Sequence, residues 1–198
     1  MTKTKTYKYL ENNWETSDRP NNHYLSDLIG YFYLCFFFED QKHFRKAKKK
    51  TYQTLLDQFK KQVQDDGTCY EGSTNYHKLV TEIFLHFYLL CKTNEITLPP
   101  HFYKKLKKMI LFLQDSSDLG NNLVQIGDND SGKILPLQIN PKISRVIQQK
   151  NKRKREVIHY PNFGLTIIKS RKIEITYRHP TYNKKQPTGH FHQDALSI

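Results

Sequence analysis

The feature that most restricts this chain is a helical pattern that occurs twice. From Tyr24 to Phe38 the residues are apolar on nearly every side. A helix of that kind must be buried. Residues 42–64 follow with Phe44, Tyr52, Leu55, Phe59 and Val63 near helical spacing and lysines between them. This is an amphipathic, half-exposed helix, closed by Asp65-Asp66-Gly67. The pattern then recurs. Over 73–91, Tyr76, Leu79, Val80, Ile83, Phe84, Phe87 and Leu90 form a dense apolar helix that Pro99-Pro100 breaks. Over 101–114, Phe102, Leu106, Met109, Ile110 and Leu113 face away from lysines. The result is two helical hairpins offset by about 50 residues, a period that suggests a helical array. A ring or solenoid of such hairpins places the apolar helices inside and the lysine-rich ones outside. Residues 1–20 are polar and end at Pro20.

The helical period stops near residue 115. Asp115–Asn122 and Gly127–Gly132 are loop sequences, and Asn151–Arg155 is a basic linker. Phe163–Lys169 and Lys172–Arg178 read as two strands joined tightly around Ser170-Arg171. His190–Ile198 looks like the start of another strand. Two or three strands cannot make a sandwich, so the β part is expected to be cut off.

The 198 residues carry 32 Lys+Arg against 19 Asp+Glu, a formal net charge of +13. Such a charge favours anionic partners: nucleic acid, anionic lipid or an acidic polysaccharide. Cys35, Cys69 and Cys91 contain no Cys-x-x-Cys, and three cannot all pair, which argues against a disulfide scaffold or a cysteine zinc site. Cys35 and Cys91 sit in apolar runs and are expected in the core. The N-terminus has no apolar segment of signal-peptide type. The longest apolar run, Leu28–Phe38, is far short of the roughly 20 residues that span a membrane.

Four clusters hold the polar chemistry. Asn21-Asn22-His23 opens the first buried helix, and its plain reading is an N-cap. Tyr70–His77 opens the second, with Ser73 or Thr74 as cap and Tyr76 on the apolar stripe. If the two buried helices run parallel, Asn22, His23, Tyr76 and His77 share a rim where helix N-termini favour an anion. Gly127–Gly132 is superficially like a calcium loop but lacks the closing glutamate. His190 and His192 alternate on the expected last strand, as metal ligands often do. The lysine runs 46–50 and 104–108 read as solvated faces. Residues 151–155 suit a nucleic-acid patch or a localisation signal, with no DNA-reading motif beside them.

These blocks, in this order, resemble the heparinase II/III-like polysaccharide lyases, which include alginate lyases. The matching stretches are 21–30, 70–77, 126–132, 161–170 and 189–197. The resemblance implies an α+β, mainly α architecture: a partial (α/α) toroid over 1–140, then a linker and the first strands of a truncated antiparallel β-sandwich over 141–198. It implies β-elimination on a uronate-containing anionic polysaccharide, with no cofactor in the chemistry. Asn22 would neutralise the uronate carboxylate, and His23 would help bind it or act as base. Tyr76 would be the acid and a possible base, a role that needs positive charge nearby to lower a phenol's reference value of about 10. His190 would complete the catalytic set, while His77 and Asn129 would touch substrate. His192 would be one ligand of the family's structural zinc. A lone histidine cannot hold zinc, so no stable zinc site is expected in this chain.

Members of that family are much longer at both ends, so the chain reads as a fragment. The resemblance places it in the periplasm or cell envelope; made as given, without a signal peptide, it would stay in the cytoplasm. Two other readings remain: a non-catalytic binder of acidic glycan and, remotely, a basic nucleic-acid-binding protein.

Overall fold

A computed structural model describes residues 3–118, 122–134, 156–170 and 173–179. Among them are α1 (Lys3–Asn12), α2 (Asn22–Phe37), α3 (Lys42–Gln62), α4 (Thr74–Thr93) and α5 (Pro100–Asp115). Three strands follow: β1 (Glu156–Tyr160), β2 (Leu165–Lys169) and β3 (Glu174–Arg178). The described part is therefore mainly helical with one small antiparallel sheet. The chain forms two compact units, Met1–Gln62 with Ile83–Leu98, and Val63–Glu82 with Pro99–Ile198. In the second unit α5 and the sheet share one core, described below.

In the first unit α2 is the buried helix that its sequence requires. Leu25, Leu28, Phe32 and Cys35 are almost wholly covered. Phe32 meets Phe87 of α4 at 5.3 Å, and Phe59 of α3 meets Phe84 at 4.8 Å. The lysines of α3 lie outside this seam, as amphipathic spacing demands. Cys35 and Cys91 are buried free thiols, and burial pushes both up to about 12. The helix α1 lies in a segment where only polarity was noted. Its Tyr7 and Leu10, with Trp14 beyond its end, pack with Tyr31, Cys35 and Phe44. Spacing i, i+3, i+7 carries that stripe, diluted by the lysines and threonines around it. Glu11 accepts a hydrogen bond from the Tyr31 hydroxyl and lies 2.7 Å from His43 Nε2.

In the second unit the loop after α3 turns at Gly67, whose φ is +91°. A Cβ there would overlap Lys108, so only glycine fits without distortion. Asp66 accepts from the Thr68 amide at 3.1 Å and from the Asn162 amide at 3.1 Å. It thus ties this loop to the β1–β2 turn. The sheet order is β1-β2-β3, with Ile158 opposite Ile167 and Ile167 opposite Thr176. The expected strands 163–169 and 172–178 are shorter at their starts, because Phe163 and Gly164 form the β1–β2 turn, with Gly164 N–H on Tyr160 O. β1 was not expected at all; its five residues directly follow a basic linker that masks a short alternation. Strand alternation puts Tyr160, Leu165 and Ile167 into one core with Phe112, Ile126 and Phe163.

Phe112 sits at the centre of that core. Its ring lies 4.8 Å from Tyr160, 4.8 Å from Phe163 and 4.5 Å from His77. Polar pairs border it: Tyr160 donates to Asp115 at 2.7 Å, and Lys169 pairs with Glu174 and donates to Ser117 O, both at 2.8 Å. Phe112→Ala should cost about 3–5 kcal/mol of stability, measured by urea denaturation. A loss below ~1 kcal/mol would show that the sheet and α5 do not share this core.

Candidate active site

Two helix N-termini carry the residues that the sequence singled out, one in each unit. At the first, Asn21 is the cap of α2: its side chain accepts from the His23 amide at 3.1 Å. The plain N-cap reading therefore holds for Asn21. Asn22 follows as the first helical residue and is buried. His23 is half-exposed, with Nδ1 2.8 Å from Glu15 Oε2. In the neutral ring that contact makes Nδ1 the donor and leaves Nε2 as the acceptor nitrogen. Glu15 is itself held, its amide donating to Asp27 at 2.9 Å. Glu15 escaped the sequence reading because it lies in a polar segment outside every motif.

At the second N-terminus, Ser73 caps α4. Its Oγ accepts from the Tyr76 amide at 3.3 Å and donates to Asp128 O at 2.6 Å. Thr74, fully buried, binds the same loop. Its amide donates to Ile126 O at 3.0 Å, and its hydroxyl donates to Val124 O at 2.8 Å. That hydroxyl also accepts from Ile126 N–H at 3.1 Å. Farther along, Ile134 N–H reaches Glu82 at 3.3 Å. Residues 124–134 are thus laid against the start of α4 by hydrogen bonds from its cap, Ser73, and from Thr74 and Glu82 of the helix. The Gly127–Gly132 motif, in which only Asn129 was expected to have a role, gains a second polar contact here. Asp130 within it accepts a hydrogen bond from the Tyr76 hydroxyl.

Tyr76 is nearly covered, at 7% exposure. Burial pushes its phenol well above the ordinary tyrosine value, and the bond to Asp130 with the charges of Asp130, Glu71 and Asp128 pushes it further. The base role anticipated for Tyr76 needs the opposite surroundings. Asn129 is exposed and uses its own Oδ1 to accept the Ser131 amide at 2.9 Å. It stands beside Asp130 in the same loop.

His77 is placed otherwise than the substrate-contact role requires. It is fully buried, Nδ1 accepting from Cys69 N–H at 3.0 Å and Nε2 lying 3.1 Å from Met109 O. The first contact needs an unprotonated Nδ1, so the ring is the neutral Nε2–H tautomer donating to Met109. Both nitrogens serve backbone groups, and the next residue along α4 after Tyr76 faces the core by helical geometry. His190 and His192 lie outside the described residues. Among the described residues no three His, Cys, Asp or Glu side chains gather as a metal site, and no step below is routed through zinc.

The profile of the heparinase II/III N-terminus matches residues 1–120, more than half of the chain. The chain belongs to the heparinase II/III family. A search of curated proteins found no match. Among solved structures, the heparinase III BT4657 gene product superimposes with a TM-score of 0.70 at 18% identity. That match covers 98% of this chain and 32% of the other. The heparan sulfate lyase HepC from Pedobacter heparinus gives 0.65 at 18% identity, with the same coverages. A further heparinase III gives 0.51 at 20% identity, covering 58% of this chain and 18% of that one. At these identities the likeness shows the fold, and this chain spans about a third of the length of the first and second structures. Among the described residues no helix is long and apolar enough to cross a membrane.

The buried His77 gives this heparinase-family chain a specific acid sensitivity. Burial lowers its imidazole from 6.5 to about 4, against a smaller opposing effect of the Met109 bond. The unfolded chain therefore binds the extra proton between those values. The stabilisation is complete above about pH 6.5 and is lost as pH falls towards 4. Between pH 7 and pH 4 the wild-type chain should lose roughly 3 kcal/mol more stability than His77→Gln. Denaturation curves at both pH values test this, and parallel losses in the two proteins would contradict it.

Proposed function

We propose that this chain carries acid and substrate-binding residues of a lyase that cleaves uronate-containing anionic polysaccharide by β-elimination. The observation that carries the reading is Tyr76, a phenol kept protonated at the start of α4 by burial and by Asp130. In the reaction a base removes the C5 proton beside the uronate carboxylate. The electron pair becomes the C4–C5 double bond, and the C4–oxygen bond breaks. The leaving oxygen takes a proton, which Tyr76 supplies. No water is consumed, so the paired carboxylates of a glycosidase are not needed.

The carboxylate must be neutralised before C5 can lose its proton. Asn22, an amide in the first turn of α2, is suited to that as a donor at the positive end of a helix. His23, with Nδ1 on Glu15, is assigned the base through Nε2. This leaves Tyr76 as acid alone, because the carboxylates around it oppose a phenolate. His190 and Asn129 enter as further site residues on the family pattern. The +13 net charge suits an anionic polymer. Since the similar HepC is a heparan sulfate lyase, heparan sulfate is the first substrate to try, followed by alginate.

Turnover is followed by ultraviolet absorbance of the unsaturated product. Tyr76→Phe should lower kcat by about 100-fold or more, and Asn22→Ala by a similar factor. Binding of heparan sulfate without product would favour the acidic-glycan binder instead. Tight, salt-dependent DNA binding with no glycan binding would overturn both.

A further inference from the structure

We infer that Asp130 is a positioning residue for the general acid: it holds the Tyr76 hydroxyl in a fixed direction and keeps the proton on it until transfer. The inference deepens the lyase reading above and rests on it. Three observations carry it. First, the Tyr76 hydroxyl donates to Asp130 Oδ2, so the carboxylate sets both the ring's rotation and the direction of the O–H. Second, Asp130 cannot drift from that place easily. Its loop is bound at Val124, Ile126 and Asp128 by Thr74 and Ser73, two residues and three residues before Tyr76 itself. The Ser131 amide is turned onto Asn129, with Ser131 in the left-handed region at φ +53°. Donor and acceptor are therefore mounted on one piece of structure. Third, Tyr76 is nearly covered whereas Asp130 is exposed. The carboxylate is the solvent-facing member of the pair.

The chemistry follows from that arrangement. A general acid must be protonated and in place at the working pH. A phenol bonded to a carboxylate on a tethered loop meets both needs. When Tyr76 gives its proton to the C4 oxygen, a phenolate is left facing Asp130. Like charges at that distance repel, which drives the phenolate to recover a proton once product leaves. Asp130 touches neither C4 nor C5 in this scheme and acts through Tyr76 alone.

The test uses the full 198-residue chain, with tyrosine labelled at the ring carbon bearing the hydroxyl. The Tyr76 resonance is identified by its loss in Tyr76→Phe. Two variants are compared, Asp130→Asn, which removes the charge, and Asp130→Ser, which withdraws the acceptor. Asp130 is exposed, so both should keep the wild-type circular dichroism. At pH 8 the Tyr76 resonance should move in both variants towards that of a solvated phenol. With heparan sulfate as the probe, kcat should fall about 10- to 100-fold with KM changed less than about threefold. An unmoved resonance in both variants overturns the inference whatever the turnover. So does an unchanged kcat in both. If the resonance moves but the wild-type chain never turns over heparan sulfate or alginate, the bond stands and the lyase reading is what fails.

Discussion

The second unit depends on one buried threonine. Thr74 spends its amide and its hydroxyl on the backbone of residues 124–126. A helix N-terminus leaves amides without partners, and a loop crossing it has the same problem along its edge. Here each answers the other. Removing the hydroxyl leaves Val124 O and Ile126 N–H without that partner in a site closed to water, a loss on the order of 1–3 kcal/mol. Ile126 also belongs to the core around Phe112. The same contact therefore links the candidate site to the packing of α5 and the sheet.

Burial and charge act together on Tyr76. The phenol is covered by protein on most sides, and its polar neighbours are carboxylates. Each effect disfavours the phenolate, so the side chain is suited to giving a proton rather than taking one. The neighbouring residue shows the opposite use of burial. His77 is kept neutral so that it can bridge the Cys69 amide and the Met109 carbonyl. Two adjacent residues of one helix thus divide the work: one fixes the helix in its core, the other faces the loop.

Much of this was legible in the sequence. The buried character of α2 and the two-sided character of α3 and α5 follow from residue spacing alone, because helix burial is read directly from period. Asn21 as a cap and Cys35 and Cys91 as core residues followed from local chemistry. What escaped was set by long-range contact. Asp130 reaches Tyr76 across 54 residues, and no spacing rule connects them. His77 looked like a site residue because it adjoins Tyr76, yet a helix turns about 100° per residue, and that rotation sends it into the core. α1 has too few apolar residues to announce itself, and β1 is too short beside its basic linker.

The central claim is that the start of α4, Thr74–Glu82, and the 124–134 loop are held together as the piece that presents Tyr76. Amide hydrogen exchange in Thr74→Val tests it most directly, since valine keeps the shape and loses the hydroxyl. The account predicts that the amides of Ile126 and Ser131 exchange at least tenfold faster, while those within α2 and α3 are unchanged. Equal protection of Ile126 and Ser131 in variant and wild type would show that the loop is held by something other than Thr74, and would contradict the account.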